Sequence, residues 1–162
     1  MKCRMFRNLP FARMIDKRFD NVRRYCEIGI DKGISMGITF KNVVFDDLYV
    51  VDVKIDPVVK KKWSKFSYIH FYEMSSIDFF NMFPDNYFDV VWLDGNHSYE
   101  YLKKEIPVAW SKARYVLGGH DFYPGCPGVA KAVVEFKELN GFELKGICTN
   151  WWFEKTYGNK IN

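Results

Sequence analysis

Tyr25-Cys26-Glu27-Ile28-Gly29-Ile30-Asp31-Lys32-Gly33 is the stretch whose reading decides the fold. An apolar run of strand character ends in a glycine-bearing turn, and helix-period sequence follows. That is the signature of a strand feeding a crossover helix, with glycine allowing close backbone approach and the helix start offering free N–H groups. Taken alone, a G-x-x-x-G spacing marks nothing more than a tight turn.

Outward from this stretch the pattern repeats. Strand character recurs at 25–30, 48–53, 68–72, 88–93, 115–117 and 142–148. A last apolar run, Trp151 to Phe153, follows Thr149-Asn150 and is placed to close an antiparallel hairpin at one edge. Tyr99, Leu102, Ile106 and Trp110 recur at helical spacing, and Pro107 is expected to kink or shorten that helix. Pro127 opens a further helix whose Val129, Val133 and Phe136 share a face, and Gly141 stops it. Alternating strands and helices predict an α/β chain: a Rossmann-like, doubly wound, mostly parallel seven-stranded sheet with an antiparallel C-terminal edge hairpin.

The chain has 162 residues, 48% of them hydrophobic and 27% charged, which suits one folded domain and excludes disorder over most of its length. Aromatics reach 19%, and packing is the plain use for most of them. No apolar run is long enough to span a membrane and the start lacks the apolar core of a secretory signal, so a cytoplasmic protein is expected. The four cysteines lie far apart, without metal-knuckle spacing, and read as reduced thiols.

Of 24 Lys/Arg, eight fall within residues 1–24, against two of the 20 Asp/Glu, so the rest of the chain is slightly acidic. The division is therefore a basic, helical N-terminal segment (1–24), a ligand-binding domain (25–157) and a tail (158–162). The segment is either a solvated helix packing Phe6, Phe11, Met14 and Ile15 on the body, or a grip for phosphates or an acidic membrane surface.

In a doubly wound sheet, ligands bind beyond the carboxyl ends of the strands. The second strand candidate carries Asp52 near its end, about twenty residues past the first glycine turn, where an acidic side chain can accept hydrogen bonds from a ribose diol. The pair points to a nucleoside. G-x-G-x-x-G is absent, which disfavours a dinucleotide.

Glu27-x-Gly29-x-x-x-Gly33 followed by Asp52 resembles motif I and the acidic loop of class I S-adenosylmethionine-dependent methyltransferases. Phe88-Asp89-Val90-Val91-Trp92-Leu93-Asp94-Gly95-Asn96-His97-Ser98-Tyr99-Glu100 resembles a segment of a small bacterial and phage-type branch of that superfamily, with Asn96 where the branch usually has Asp. Gly118-Gly119-His120-Asp121-Phe122 and Pro127-Gly128-Val129 are similar to later segments of the same branch.

The resemblance implies S-adenosylmethionine as cofactor. Glu27 and Gly29 would shape the pocket at its methionine end, and Ile30, Gly33 and Asp94 would also bind the cofactor. Asp52 would hold the ribose, Val53 would lie beside the adenine, and Met74, Ser75 and Ser76 would meet the adenine edge and face. Ser75 and Ser76 serve equally as a helix N-cap.

Metal-dependent O-methyltransferases resembling this sequence place ligands at the strand ends, which implies Asp94, His120 and Asp121 as a site for Mg²⁺. The same carboxylates would otherwise cap the loops that follow. His97 is the general base expected to take a hydroxyl proton, or else a residue that only orients its loop. His70, inside a strand candidate, reads as structural.

The expected reaction is O-methylation of a hydroxyl on a sugar or another small polar metabolite. Asp31 and Lys32, in a loop usually built of small residues, motivate a second reading: a binding module that has lost turnover. A nucleic-acid-directed methyltransferase is the third, disfavoured because no Asn/Asp-Pro-Pro-Tyr-type motif is present. A homo-oligomer completing the site is compatible with so short a chain.

Overall fold

The computed structural model describes residues 9–19 and 22–155. Phe6, Cys3 and the tail 158–162 lie outside the described residues.

Seven strands form one sheet: β1 (Arg24–Ile28), β2 (Asp47–Asp52), β3 (Ile69–Glu73), β4 (Phe88–Leu93), β5 (Ala113–Gly119), β6 (Lys145–Ile147) and β7 (Asn150–Glu154). Their order is β3-β2-β1-β4-β5-β7-β6, with the first five parallel and β7 antiparallel to both its neighbours. The expected Rossmann-like sheet with an antiparallel C-terminal edge is the one observed. Among the described residues six helices accompany it: α1 (Leu9–Arg18), α2 (Ile34–Asn42), α3 (Pro57–Trp63), α4 (Ser76–Asn81), α5 (Tyr99–Lys112) and α6 (Pro127–Asn140).

The central strands read as near-continuous apolar runs because both faces are covered, as parallel sheets require. Every residue of β4 is buried. On one face Cys26, Val51, Val91 and Leu117 pack with Leu102 and Ile106 of α5 and Val133 and Phe136 of α6. On the other, Tyr25, Val50 and Trp92 pack with Phe11 and Ile15 of α1, Met36 of α2 and Trp63 of α3. Phe11 lies 4.4 Å, centroid to centroid, from Trp92.

Four local expectations are adjusted. β1 ends at Ile28 rather than Ile30, because Gly29 turns the chain at φ 86°. β5 is longer than the apolar run within it. β6 covers only Lys145–Ile147: Phe142 turns instead toward Trp110, ring centroids 4.8 Å apart, and Cys148 adopts φ 58° in the turn to β7. Pro107 neither ends nor shortens α5, which runs through it while Leu102, Ile106 and Ala109 are buried. Packing of that face outweighs the one hydrogen bond that proline removes.

No helix of the described residues is long and apolar enough to cross a membrane. Of the described cysteines, Cys26 is buried, Cys126 half-buried and Cys148 exposed. His70 of the edge strand β3 pairs with Asp47 of its neighbour β2 at 2.7 Å, away from the cleft described next.

Candidate active site

From β1 the chain crosses to β2 and β3 on one side, whereas β4 and β5 lie on the other, so the strand order reverses between β1 and β4. A crevice opens at the carboxyl ends of those two strands, where doubly wound sheets bind ligands. Gly29 makes the crevice by close approach. It sits at φ 86°, and a Cβ there would lie 2.3 Å from the backbone oxygen of Asp94.

One half of the crevice, about 390 Å³, is lined by Gly29, Asp52, Val53, Ser75 and Ser76 together with Tyr101 and Glu105 of α5. The other, about 490 Å³, is lined by Ile30, His97, His120, Asp121 and Tyr123. Gly29, Asp31, Asp94 and Gly95 belong to both halves.

Asp52 ends β2 facing β1. Its Oδ2 accepts the Ile30 N–H at 2.9 Å and its Oδ1 the Lys54 N–H at 3.2 Å, which fixes the carboxylate at the crevice wall. Val53 is 74% exposed, an apolar side chain left at the rim where a flat ligand would cover it. Ser75 caps α4, its Oγ accepting the Asp78 N–H at 3.2 Å, and still lines the crevice. The cap and the lining are thus compatible at one residue.

Glu27 stands on β1 behind the crevice wall rather than on it. It is fully buried and accepts a hydrogen bond from Thr39 Oγ1 at 3.0 Å. Burial pushes its pKa up to about 8; the Thr39 hydroxyl opposes the shift and the charge of Asp94 adds to it.

Besides Glu27, two residues expected in the pocket lie elsewhere. Gly33, at φ 68°, starts α2 and packs against Val59 and Trp63 of α3. Met74 is half-buried against the core on the α5 side.

At the opposite end the strand termini bring four side chains together. His120 Nδ1 lies 2.9 Å from Asp121 Oδ1 and 3.7 Å from Asp94 Oδ1. His97 Nε2, shielded from solvent, lies 3.5 Å from Asp121 Oδ2 and 3.8 Å from Asp94 Oδ1. Asp94 and then Asp121 hold the His97 pKa above its ordinary value, against the opposing effect of burial. The other nitrogen of His120 shares a hydrogen bond with Thr149 Oγ1 at 2.9 Å, which orients the ring from the β6–β7 turn.

Donor atoms of Asp94, His120 and Asp121 lie within 4.8 Å of one another, as do those of His97, Asp121 and Cys126. Carboxylate and imidazole donors this close suit a single divalent cation, with a hydrogen-bonded second nitrogen as metal-bound histidines commonly have. Tyr101, Glu105, Tyr123, Cys126 and Thr149 were not foreseen as site residues. Only Glu105 left a signal: an acid on the same helical stripe as Leu102 and Ile106.

No protein-family model matches the sequence, and no significant relative is found among curated proteins. Solved structures do resemble it. Cofactor-bound Rv0187 from MTB superposes with TM-score 0.69 at 15% identity, over 95% of this chain and 80% of that one. MycE methyltransferase of the mycinamycin biosynthetic pathway, in complex with Mg and SAH, gives 0.67 at 15%, over 94% of this chain and 51% of MycE. Spermidine synthase from Thermotoga maritima gives 0.64 at 13%, over 95% and 60%. This chain thus spans about half the length of MycE. At such identities the likeness speaks to the fold alone: the chain has the class I methyltransferase fold, which spermidine synthase shares.

Proposed function

We propose that this chain is an S-adenosylmethionine-dependent methyltransferase acting on a hydroxyl of a sugar or other small polar metabolite, with help from a divalent cation. The observation that carries the proposal is the continuity of the crevice. A half suited to a nucleoside, around Asp52, runs through Gly29 and Asp94 into a half walled by carboxylates and imidazoles.

When bound, S-adenosylmethionine supplies an electrophilic methyl group on a sulfonium, and a divalent cation supplies Lewis acidity toward the acceptor oxygen. The chain's own work is alignment and proton removal. Asp52 accepts the ribose hydroxyls, and Gly29 lets the backbone come close beside Asp94. Asp94, His120 and Asp121 are the residues that would hold the cation; His120 and Asp121 follow β5 just as Asp94 follows β4.

The cofactor, when bound, would give its methyl group to the acceptor oxygen and keep the S–C electron pair on sulfur, and the chain's residues would hold the two in line. The hydroxyl proton would pass to the His97 imidazole, which lines this half of the crevice. Gathering the partners in line removes much of the entropic barrier, so no covalent enzyme intermediate is needed.

Mg²⁺ is the ion the sequence resemblance suggests, yet the His120 imidazole among the donors favours a transition metal over magnesium. The proposal is tested by calorimetric titration with S-adenosylhomocysteine, with NAD as control ligand. Saturable binding of the first alone supports it; a folded chain that binds neither overturns it.

A further inference from the structure

Glu105 lies on the buried stripe of α5 with Leu102, Ile106 and Ala109, and is 1% exposed. Its carboxyl receives a hydrogen bond from Ser76 Oγ, and that hydroxyl also bonds the Tyr101 hydroxyl at 2.9 Å. A carboxyl on an apolar helix face is expensive to keep. Burial raises its pKa to about 7, opposed by the Ser76 hydroxyl and the charge of His97. The proposed transfer chemistry makes no use of it. Yet Glu105, Ser76 and Tyr101 all line the crevice, in the half that also contains Asp52 and Val53.

Resting on the cofactor reading above, we infer that Glu105 selects the base of the bound nucleoside by accepting a hydrogen bond from the exocyclic amine of a 6-aminopurine. The direction of the ligand follows from the crevice. With the ribose at Asp52, the reacting end must lie toward His97 and Asp121, so the base extends the other way, against Val53, Ser76, Tyr101 and Glu105. Val53 offers an apolar cover for the ring, and Glu105 is the buried acceptor in this half. Ser76 holds the carboxyl from α4, so its orientation is set before the ligand arrives. A ligand lacking the amine would desolvate the carboxyl while giving it no donor beyond Ser76, which is how buried polar groups discriminate strongly. Were Glu105 only a tie between α4 and α5, the identity of the base would not matter to it.

The test is calorimetric titration of the full chain with S-adenosylhomocysteine and with its 6-deamino analogue, in which purine replaces adenine. The wild type is expected to prefer the amino form by about tenfold or more, the usual weight of a hydrogen bond to a charged or strongly polar group. Glu105→Leu fills similar volume on an apolar face and is expected to fold while losing that preference. Glu105→Gln, which keeps a carbonyl acceptor, is expected to retain part of it. Equal affinity of the wild type for the two ligands overturns the inference, as does an undiminished preference in Glu105→Leu. A wild type that binds neither ligand overturns the cofactor reading itself, and this inference with it.

Discussion

The backbone N–H of Ile30 donates to Asp52 Oδ2 at 2.9 Å, so the carboxylate proposed to hold a ribose also fastens the turn after β1 to the end of β2. One side chain thereby shapes the crevice and offers it an acceptor. Asp52→Ala is expected to weaken S-adenosylhomocysteine binding by about tenfold to hundredfold, as loss of a charged acceptor would. Asp52→Asn keeps an oxygen for Ile30 and is expected to bind better than the alanine variant. Calorimetry on both variants separates the loss of turn geometry from the loss of charge.

His97 does not line the nucleoside half of the crevice but lines the other half, facing Asp94 and Asp121. Its removal should therefore spare cofactor binding and abolish proton transfer. In His97→Ala, kcat with a reactive hydroxyl acceptor is expected to fall by about 10²- to 10⁴-fold, the usual range for a general base. The affinity for S-adenosylhomocysteine is expected to stay within about twofold of wild type. A parallel fall in cofactor affinity would point to a structural role for the ring.

Metal preference follows from the donors. The His120 imidazole stands beside two carboxylates, Asp94 and Asp121, and magnesium accepts nitrogen donors poorly. Co²⁺ or Mn²⁺ is expected to raise the midpoint of thermal unfolding more than Mg²⁺ at equal concentration, by preferential binding to the folded chain. His120→Ala and Asp121→Asn are each expected to remove that rise. A rise unchanged in both variants would place the ion elsewhere.

The central sheet could be read from sequence because strands buried on both faces must be apolar throughout, and Leu48 to Val51 and Val90 to Leu93 are. Gly29 was legible for a related reason: a glycine directly after such a strand marks a turn of close approach. The role of Gly33 was not, since G-x-x-x-G spacing looks the same whether the second glycine meets a ligand or, as here, packs on Val59. The resemblance implies Asp94, His120 and Asp121 as one cluster, and the pairing of β4 with β5 brings them together. Thr149 carries no such signal, because it reaches His120 through the antiparallel hairpin, a contact of 29 residues' separation that no local pattern encodes. Glu105 was visible as an acid on an apolar stripe, but only the shape of the crevice gives that oddity a meaning.

Glu27 gives the fold a pH dependence of definite sign. Its pKa in the folded chain is about 8, above the ordinary 4.5, because burial disfavours the carboxylate more than the Thr39 hydroxyl favours it. The folded state therefore holds a proton that the unfolded chain releases. This contribution to stability is complete below about pH 4.5 and is lost as pH rises toward 8 and through it. Denaturant unfolding of the wild type between pH 5 and 9 should show a decline from this group on the order of a few kcal/mol. Glu27→Gln, which cannot ionise and keeps an oxygen for Thr39, is expected to flatten that decline and to be the more stable of the two at pH 9. Parallel curves for the two proteins would mean that Glu27 is already charged when folded, and that Thr39 and Ser35 solvate it better than burial penalises it.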